Sequence, residues 1–263
     1  MSHFTVGVIT PTLERGYIEQ IMAPYQENNM GDCPKEYLEF YDKEDELKDE
    51  YENRIVEEGD KTFSFKEKYA TLEEFAKEWW GFKERDPETG RYGFWENPHA
   101  KWDWYEVGGR WANMLLVKDS VTEYVQGGHY GRHEEREAPE GYRWVDGARI
   151  KDIEFDKMEE YSRESAEKYW EEAQDKEAFE KRFIYGLQDA ETKEQYIQRN
   201  TSFSTYAFLN GITNEWVSVG EMGWFGMSSE TSEEGYNWDI QYVSNHIEPA
   251  DPELYFVVID CHI

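Results

Sequence analysis

The sequence predicts an α+β fold with a mixed or antiparallel sheet that contains both terminal strands. Residues 3–9 alternate between apolar and other types, which is the period of a strand, and Pro11 marks its end. An apolar run over 254–263 predicts a closing strand. Apolar residues at helical spacing within a strongly charged segment predict a long helix over 154–184. Strands at both ends, with this helix and long aromatic-rich loops between them, are typical of an α+β protein.

The other elements are predicted from local signals. Thr71, with Glu74 three residues later, is typical of a helix N-cap, and the helix that it begins should end near Gly81. In chain order, we further expect a helix at 13–25, a weakly periodic acidic region to about Asp60, a loop punctuated by Gly and Pro at 86–111, strands within 112–125, a polar excursion from Gly127 to Gly147, a helix at 189–198, strands at 203–209 and 215–219, and a helix at 233–247.

Length and composition favour one large globular domain. With 263 residues, of which 38% are hydrophobic and 17% aromatic, the chain can bury a sizeable core. We find no internal repeat and no clear linker. We therefore expect a single domain, 1–263, with an acidic helical insertion around 150–200.

The net charge restricts the class of partner. The 28 basic and 58 acidic residues give a formal charge of -30, which opposes direct contact with nucleic acid or with an anionic membrane. Three interpretations of the acidity remain open: the charge keeps the protein soluble, the acidic surface imitates nucleic acid toward a basic partner, or the carboxylates hold a cation.

The cysteines and the N-terminus predict a cytoplasmic location. Cys33 and Cys261 lie near opposite ends of the chain and belong to no Cys-x-x-Cys pair, which is typical of a reduced intracellular protein. The first residues lack a charged region followed by a long apolar run. Nowhere do eighteen apolar residues follow one another.

A tryptophan-rich segment at 95–111 is the strongest candidate for a binding site. An extended backbone would place Lys101 and Asp103 on one side and Trp102 and Trp104 on the other. Gly108-Gly109 permits a sharp turn or a close approach of the backbone to a ligand. The predicted ligand-binding residues here are Lys101, Trp102, Asp103, Trp104, Tyr105, Arg110 and Trp111, with aromatic faces for a base and cations for phosphate.

The alternative for this segment is an aromatic mini-core under a long loop. Arg110 would then stack on a tryptophan and pair with Asp103. A second loop of this type, 220–229, has three glycines between bulky side chains and adds Glu221 and Trp224 as candidates. Its spacing matches neither the Walker nor the dinucleotide fingerprint.

The terminal strands carry the candidate catalytic residues His3, Asp260 and His262. Pairing of the two strands would bring two imidazoles and a carboxylate together, with Asp260 or Asp103 orienting the rings. The alternative is polar residues at exposed strand ends. The strand that contains His3-Phe4-Thr5 resembles one half of the signature of the two-histidine phosphoesterases, but none of the other five histidines begins a second His-x-Thr or His-x-Ser. His129 and His133 have the spacing of metal ligands on a helix, although neighbouring glycines argue against a helix, and we predict no metal site.

Four separated motifs occur in order along the chain: Ser2–Val6, Lys101–Trp111, Gly220–Gly226 and Asp260–His262. With them the chain resembles an uncharacterised family of proteins encoded by bacteriophages and bacteria. The resemblance spans the whole chain. The resemblance implies a phage or mobile-element origin, but it implies no particular activity for this chain.

We therefore predict a cytoplasmic, phage-type accessory protein with a possible anti-defence role. It would bind a nucleotide-like small molecule in an aromatic and basic pocket, by sequestration or hydrolysis. The alternative is an acidic inhibitor or nucleic-acid mimic that presents helices at 36–60 and 154–182 to a basic host protein. A metal-dependent nuclease lacks a clear carboxylate motif, and the sequence identifies no cofactor.

Overall fold

A computed structural model describes residues 2–58, 61–129, 137–188, 191–223 and 227–263. The strands are β1 His3–Thr10, β2 Glu39–Asp42, β3 Ile55–Glu58, β4 Lys61–Ser64, β5 Gly93–Glu96, β6 Trp104–Gly109, β7 Leu115–Lys118, β8 Tyr124–Val125, β9 Gly128–His129, β10 Tyr142–Val145, β11 Gly147–Arg149, β12 Ala207–Asn210, β13 Glu215–Ser218 and β14 Tyr255–His262. The α-helices are α1 Arg15–Met22, α2 Glu44–Asn53, α3 Phe65–Lys68, α4 Leu72–Glu78, α5 Phe155–Gln174, α6 Ala178–Phe183, α7 Lys193–Thr201 and α8 Ser232–Tyr242.

Both terminal strands lie at the centre of a mixed sheet, which the described residues build from eight strands. The order β13-β12-β1-β14 continues on the far edge of β14 with β11 and β6, which pair with successive parts of that strand. β1 is antiparallel to β14 and parallel to β12. The predicted α+β fold with both terminal strands in one sheet is thus confirmed.

The central strands are buried because helices and loops cover the sheet. Every residue of β14 is buried, as is nearly all of β1. Gly7 has no room for a side chain, since a Cβ there would lie 2.4 Å from the Phe256 ring and from the Tyr242 hydroxyl. The main core gathers Leu115, Leu116, Val117, Val145, Phe203, Phe208, Tyr242, Phe256 and Val258.

Two predicted elements need correction. The long helix ends at Gln174 rather than 184, and α6 begins separately after Glu177, whose side chain forms a capping box with Glu180. The apolar spacing continues across the break because both helices carry it. The expected loop at 86–111 contains β5 and β6. Aromatic residues occur at adjacent positions of β6, so the sequence there shows no clear period of two.

The chain divides into two compact units, one formed by residues up to 22 and 102–263, the other by 23–101. The inserted segment is therefore 23–101, whereas the helices around 150–200 belong to the first unit. The second unit has its own core of Leu47, Phe65, Phe75, Ala76 and Tyr92. Its helix α4 begins as predicted, with the Thr71 side chain accepting a hydrogen bond from the Glu74 N–H. Within the part of the chain that the structure describes, no helix is both long and apolar enough to cross a membrane.

Candidate functional site

Three strands bring the candidate residues together at one end of the central sheet. In the β1–β14 register, His3 lies opposite His262, and on the other side of β14 the partner of His262 is Trp104. Directly paired residues of antiparallel strands point to the same face of the sheet. The N-terminus, the C-terminal strand and the tryptophan-rich segment therefore contribute side chains to one surface.

Each histidine is bound to its own aspartate. His3 Nδ1 lies 2.8 Å from Asp260 Oδ1, and His262 Nδ1 lies 2.7 Å from Asp103 Oδ1. The two rings are in contact edge to face, with centroids 4.8 Å apart and an interplanar angle of 76°. Asp260 is fully buried and both imidazoles are almost so. Because a carboxylate holds each Nδ1–H, the Nε2 atom of each ring is the one left for a ligand.

Trp104 stacks on this histidine pair. Its ring lies 5.0 Å from the His262 ring at 18° and meets the His3 ring edge-on at 5.2 Å. The residue is 40% exposed. An indole ring is a surface on which a planar ligand can stack.

Trp102 and Trp104 are not on one side of an extended segment, as the sequence predicted. Trp102 is buried and packs edge-on against Tyr105, with centroids 4.9 Å apart. The chain bends at Asp103, whose carboxylate turns to His262. The Trp102 indole N–H has no hydrogen-bond partner among the described residues.

The Gly108-Gly109 pair approaches two buried carboxylates of the protein itself. Both residues have positive φ, +74° and +56°. A Cβ at Gly108 would lie 2.6 Å from Asp146 Oδ2, and one at Gly109 would lie 2.5 Å from Asp260 Oδ2. The turn aims the Arg110 backbone N–H at Asp260 Oδ2, at 2.9 Å. The glycines predicted a sharp turn or a close approach of the backbone to a ligand; in the structure the backbone approaches Asp260, which is thereby fixed and in turn holds His3.

Asp146 is a buried residue of this region that the sequence reading missed. Its carboxylate accepts hydrogen bonds from the backbone N–H groups of Asn113 and Gly127, and its own carbonyl accepts from Val258 at 2.8 Å. The signal that could have found it is an aspartate enclosed by Trp144-Val145 and Gly147-Ala148, because a lone acid in an apolar run needs buried donors.

The second glycine-rich loop lies next to the start of β1. Ser2 Oγ donates to the Gly223 carbonyl at 3.2 Å, and the Gly223 N–H donates to Met227 at 2.7 Å. Glu221 is exposed, and its backbone N–H donates to the Ser229 hydroxyl. Trp224 lies outside the described residues. The loop is therefore joined to the residue that precedes His3.

The remaining candidates occupy different environments. Lys101 is exposed at the end of the second unit, and Trp111 packs against the main core. Burial raises the pKa of Tyr105 to about 12. Arg110 is exposed and pairs with no carboxylate in the described ranges. The alternative pairing of Arg110 with Asp103 is not observed, because His262 takes that carboxylate.

The metal-ligating residue types form no cluster of three or more that could hold an ion within the described parts of the chain. His129 lies in β9, and His133 lies outside the described residues.

Comparison of the chain with family models, with curated proteins and with solved structures finds no match. The groups that this region offers for chemistry are two imidazole Nε2 atoms, the Trp104 indole and the exposed Arg110 guanidinium.

Proposed function

We propose that this end of the sheet binds a nucleotide-like small molecule and hydrolyses a phosphoester bond in it. One observation carries the proposal: two imidazoles in contact, each with Nδ1 on a different carboxylate. A carboxylate on Nδ1 fixes the tautomer of a histidine and stabilises the imidazolium that forms when Nε2 takes a proton. Two such histidines side by side can supply one base and one acid.

The reaction requires both protonation states. The neutral histidine takes a proton from water at Nε2 while the water oxygen forms a bond to phosphorus. The protonated histidine donates its Nε2 proton to the leaving oxygen as the old phosphorus–oxygen bond breaks. The proton gained by one ring and lost by the other then exchanges with solvent, which restores the pair. General acid–base catalysis of this kind contributes about 10²- to 10⁴-fold to a rate.

Neighbouring groups provide the binding contacts that a nucleotide needs. The base would stack on the indole of Trp104, which is 40% exposed and lies beside both histidine rings. Arg110 offers a planar guanidinium, and its backbone is already fixed beside Asp260. Together these groups would hold a planar base and an anionic phosphate near the two Nε2 atoms.

In the phage setting that the family resemblance implies, the ligand would be a host defence signal. Hydrolysis is favoured over sequestration, because histidine–aspartate pairs add proton transfer and binding alone does not need it. The acidic inhibitor stays a prediction that no observation here favours. On α5 acidic residues outnumber basic ones, and some of the carboxylates are held in ion pairs such as Lys157–Glu160 and Arg163–Glu159.

The first experiment incubates the purified protein with a panel of cyclic nucleotides and ADP-ribose derivatives. The supernatant is analysed by chromatography before and after heat denaturation. A new product peak is the expected result. A ligand that disappears and returns intact on heating would show sequestration, and an unchanged panel would contradict both modes of action.

Variants then separate catalysis from binding. His3→Gln and His262→Gln should each lower turnover by about 10²-fold or more while ligand is still bound.

Arg110→Ala should abolish binding without changing the melting temperature, because its side chain is exposed. Arg182→Ala, another exposed arginine with no carboxylate partner in the described ranges, is the matched control. An equal effect of the two arginine variants would contradict a phosphate-binding role for Arg110.

A further inference from the structure

The outer edge of β6 is partly open in the part of the chain that the structure describes. One edge of β6 pairs with β14, and on the other edge β9 pairs with Gly108 and Gly109. No strand among the described residues pairs with Tyr105 or Glu106 on that side. The Val107 carbonyl faces the same edge but is covered by Gly127, where a Cβ would lie 1.8 Å from its oxygen. Alternate residues of a strand present their backbone groups to the same edge, so Tyr105 does so as well.

A cleft of about 570 Å³ runs along this edge. Its volume is within the usual range for a bound ligand. Apolar side chains from β6, from the segment before β9 and from the start of α1 form its walls. The lining residues are Leu13, Arg15, Ile18, Tyr105, Glu106, Val107, Val125, Gln126, Gly127 and Gly128.

The cleft contains an acidic group that lacks a cation. Glu106 is half-buried and lies opposite the fully buried Asp260 in the β6–β14 register. Its carboxylate reaches Gly128, where a Cβ would lie 1.8 Å from Glu106 Oε1. Arg15 lines the same cleft but is paired with Glu19. No Lys, Arg or His within the described ranges forms an ion pair with Glu106, so a cation on an occupant of the cleft would meet a carboxylate that is free to pair with it.

We propose that this cleft binds an extended peptide segment of a partner protein that carries lysine or arginine. The segment adds to β6 as a further strand, so that main-chain hydrogen bonds satisfy the open edge and alternate side chains enter the apolar walls. One cation of the segment lies at Glu106. The charge of -30 favours a basic partner over an acidic one. This surface goes beyond the proposed hydrolysis and does not depend on it.

The test measures fluorescence anisotropy of labelled, capped hexapeptides added to the full-length protein. The first probe alternates valine with lysine, and the second alternates valine with glutamate. Two more lysine probes carry N-methyl groups, on the valines in one and on the lysines in the other. Because valine and lysine N–H groups point to opposite edges of a strand, methylation on one set should weaken binding by about tenfold or more, and methylation on the other should not.

A matched pair of variants tests the contact with Glu106. Glu106→Gln should weaken the valine–lysine probe about tenfold, whereas Glu164→Gln, the same charge change at an exposed position of α5, should leave it unchanged. Hydrogen exchange should show new protection at Tyr105 when the probe is bound. No binding of the lysine probe, equal binding of both N-methylated probes, or equal weakening by the two variants would overturn the proposal.

Discussion

At the residue scale, two glycines allow the backbone to lie directly against two buried aspartates. Gly108 and Gly109 adopt positive φ so that the backbone can pass directly over Asp146 and Asp260. The glycine pair was recognisable in the sequence because only glycine adopts this conformation readily. The two aspartates that the backbone approaches could not be identified from the sequence, because Asp146, between β10 and β11, and Asp260, in β14, lie farther along the chain and reach the glycines only in the folded structure.

Gly109→Ala should therefore cost more stability than the same change at a glycine with space around it. Gly141 also has positive φ, +82°, but a Cβ there meets nothing within 4 Å. Gly141→Ala should lower the free energy of unfolding by about 1–2 kcal/mol through the left-handed backbone alone. Gly109→Ala should lose about 1–3 kcal/mol more, because the methyl group overlaps Asp260. Urea denaturation of both variants measures the difference, and equal costs would contradict a role for the contact with Asp260.

A second residue-scale prediction concerns the acid stability of the inserted unit. Burial opposes the charge on Glu44, but hydrogen bonds from Arg85 and from the Tyr92 N–H outweigh it and lower the pKa of Glu44 to about 2. The unfolded chain therefore takes up the proton first as the pH falls. The stabilisation is complete above an ordinary glutamate pKa of about 4.3 and is lost as the pH falls toward 2.

The variant Glu44→Gln should remove that dependence. We expect it to cost about 2–3 kcal/mol of unfolding free energy at neutral pH and little at pH 2. Glu46→Gln, an exposed neighbour that pairs with Lys43, is the control and should change stability by less than about 1 kcal/mol. Urea denaturation across the pH range measures both. A cost for Glu44→Gln that stays constant with pH would contradict this assignment.

At the element scale, the predictions succeeded where the signal is local. The alternation in β1, the apolar run of β14 and the Thr71 cap of α4 are each read within ten residues, and each element is where the sequence placed it. β6 was missed because its place in the sheet is fixed by pairing with β14 and not by its own pattern. The meeting of His3 with His262 likewise depended on a register that no local pattern determines.

The N-cap of helix α8 allows a test of how much a local capping motif contributes to stability. Thr231 accepts a hydrogen bond from the Glu234 N–H, and the Glu234 carboxylate accepts one from the Thr231 N–H, which is a complete capping box. Thr231→Ala should lower the free energy of unfolding by about 1 kcal/mol. Thr213→Ala, at an exposed turn position, should be within about 0.5 kcal/mol of wild type. Thermal and urea unfolding compare the two, and an equal cost would count against the cap.

At the scale of the whole molecule, each of the two compact units has a hydrophobic core of its own. The first unit holds the mixed sheet, the histidine pair and the open edge of β6. The second is continuous in sequence over 23–101 and buries large aromatic residues around Leu47 and Ala76. A single-domain prediction was natural, because no stretch rich in Gly, Pro or Ser marks either crossing between the units. A continuous segment with its own core has what a domain needs to fold by itself.

The fragment 23–101 should therefore fold in isolation, with helical circular dichroism and a cooperative urea transition. A unit of this size has a stability of about 3–5 kcal/mol. Phe75 is fully buried in its core, and Phe75→Ala should cost a similar 3–5 kcal/mol, which is enough to unfold the fragment. Met30→Ala is the control, because Met30 is 81% exposed and contributes little to packing. If the fragment shows no cooperative transition, its core depends on the rest of the chain and residues 23–101 are not an independent domain. If it folds and Phe75→Ala abolishes that transition, residues 23–101 form an independent domain whose core depends on Phe75.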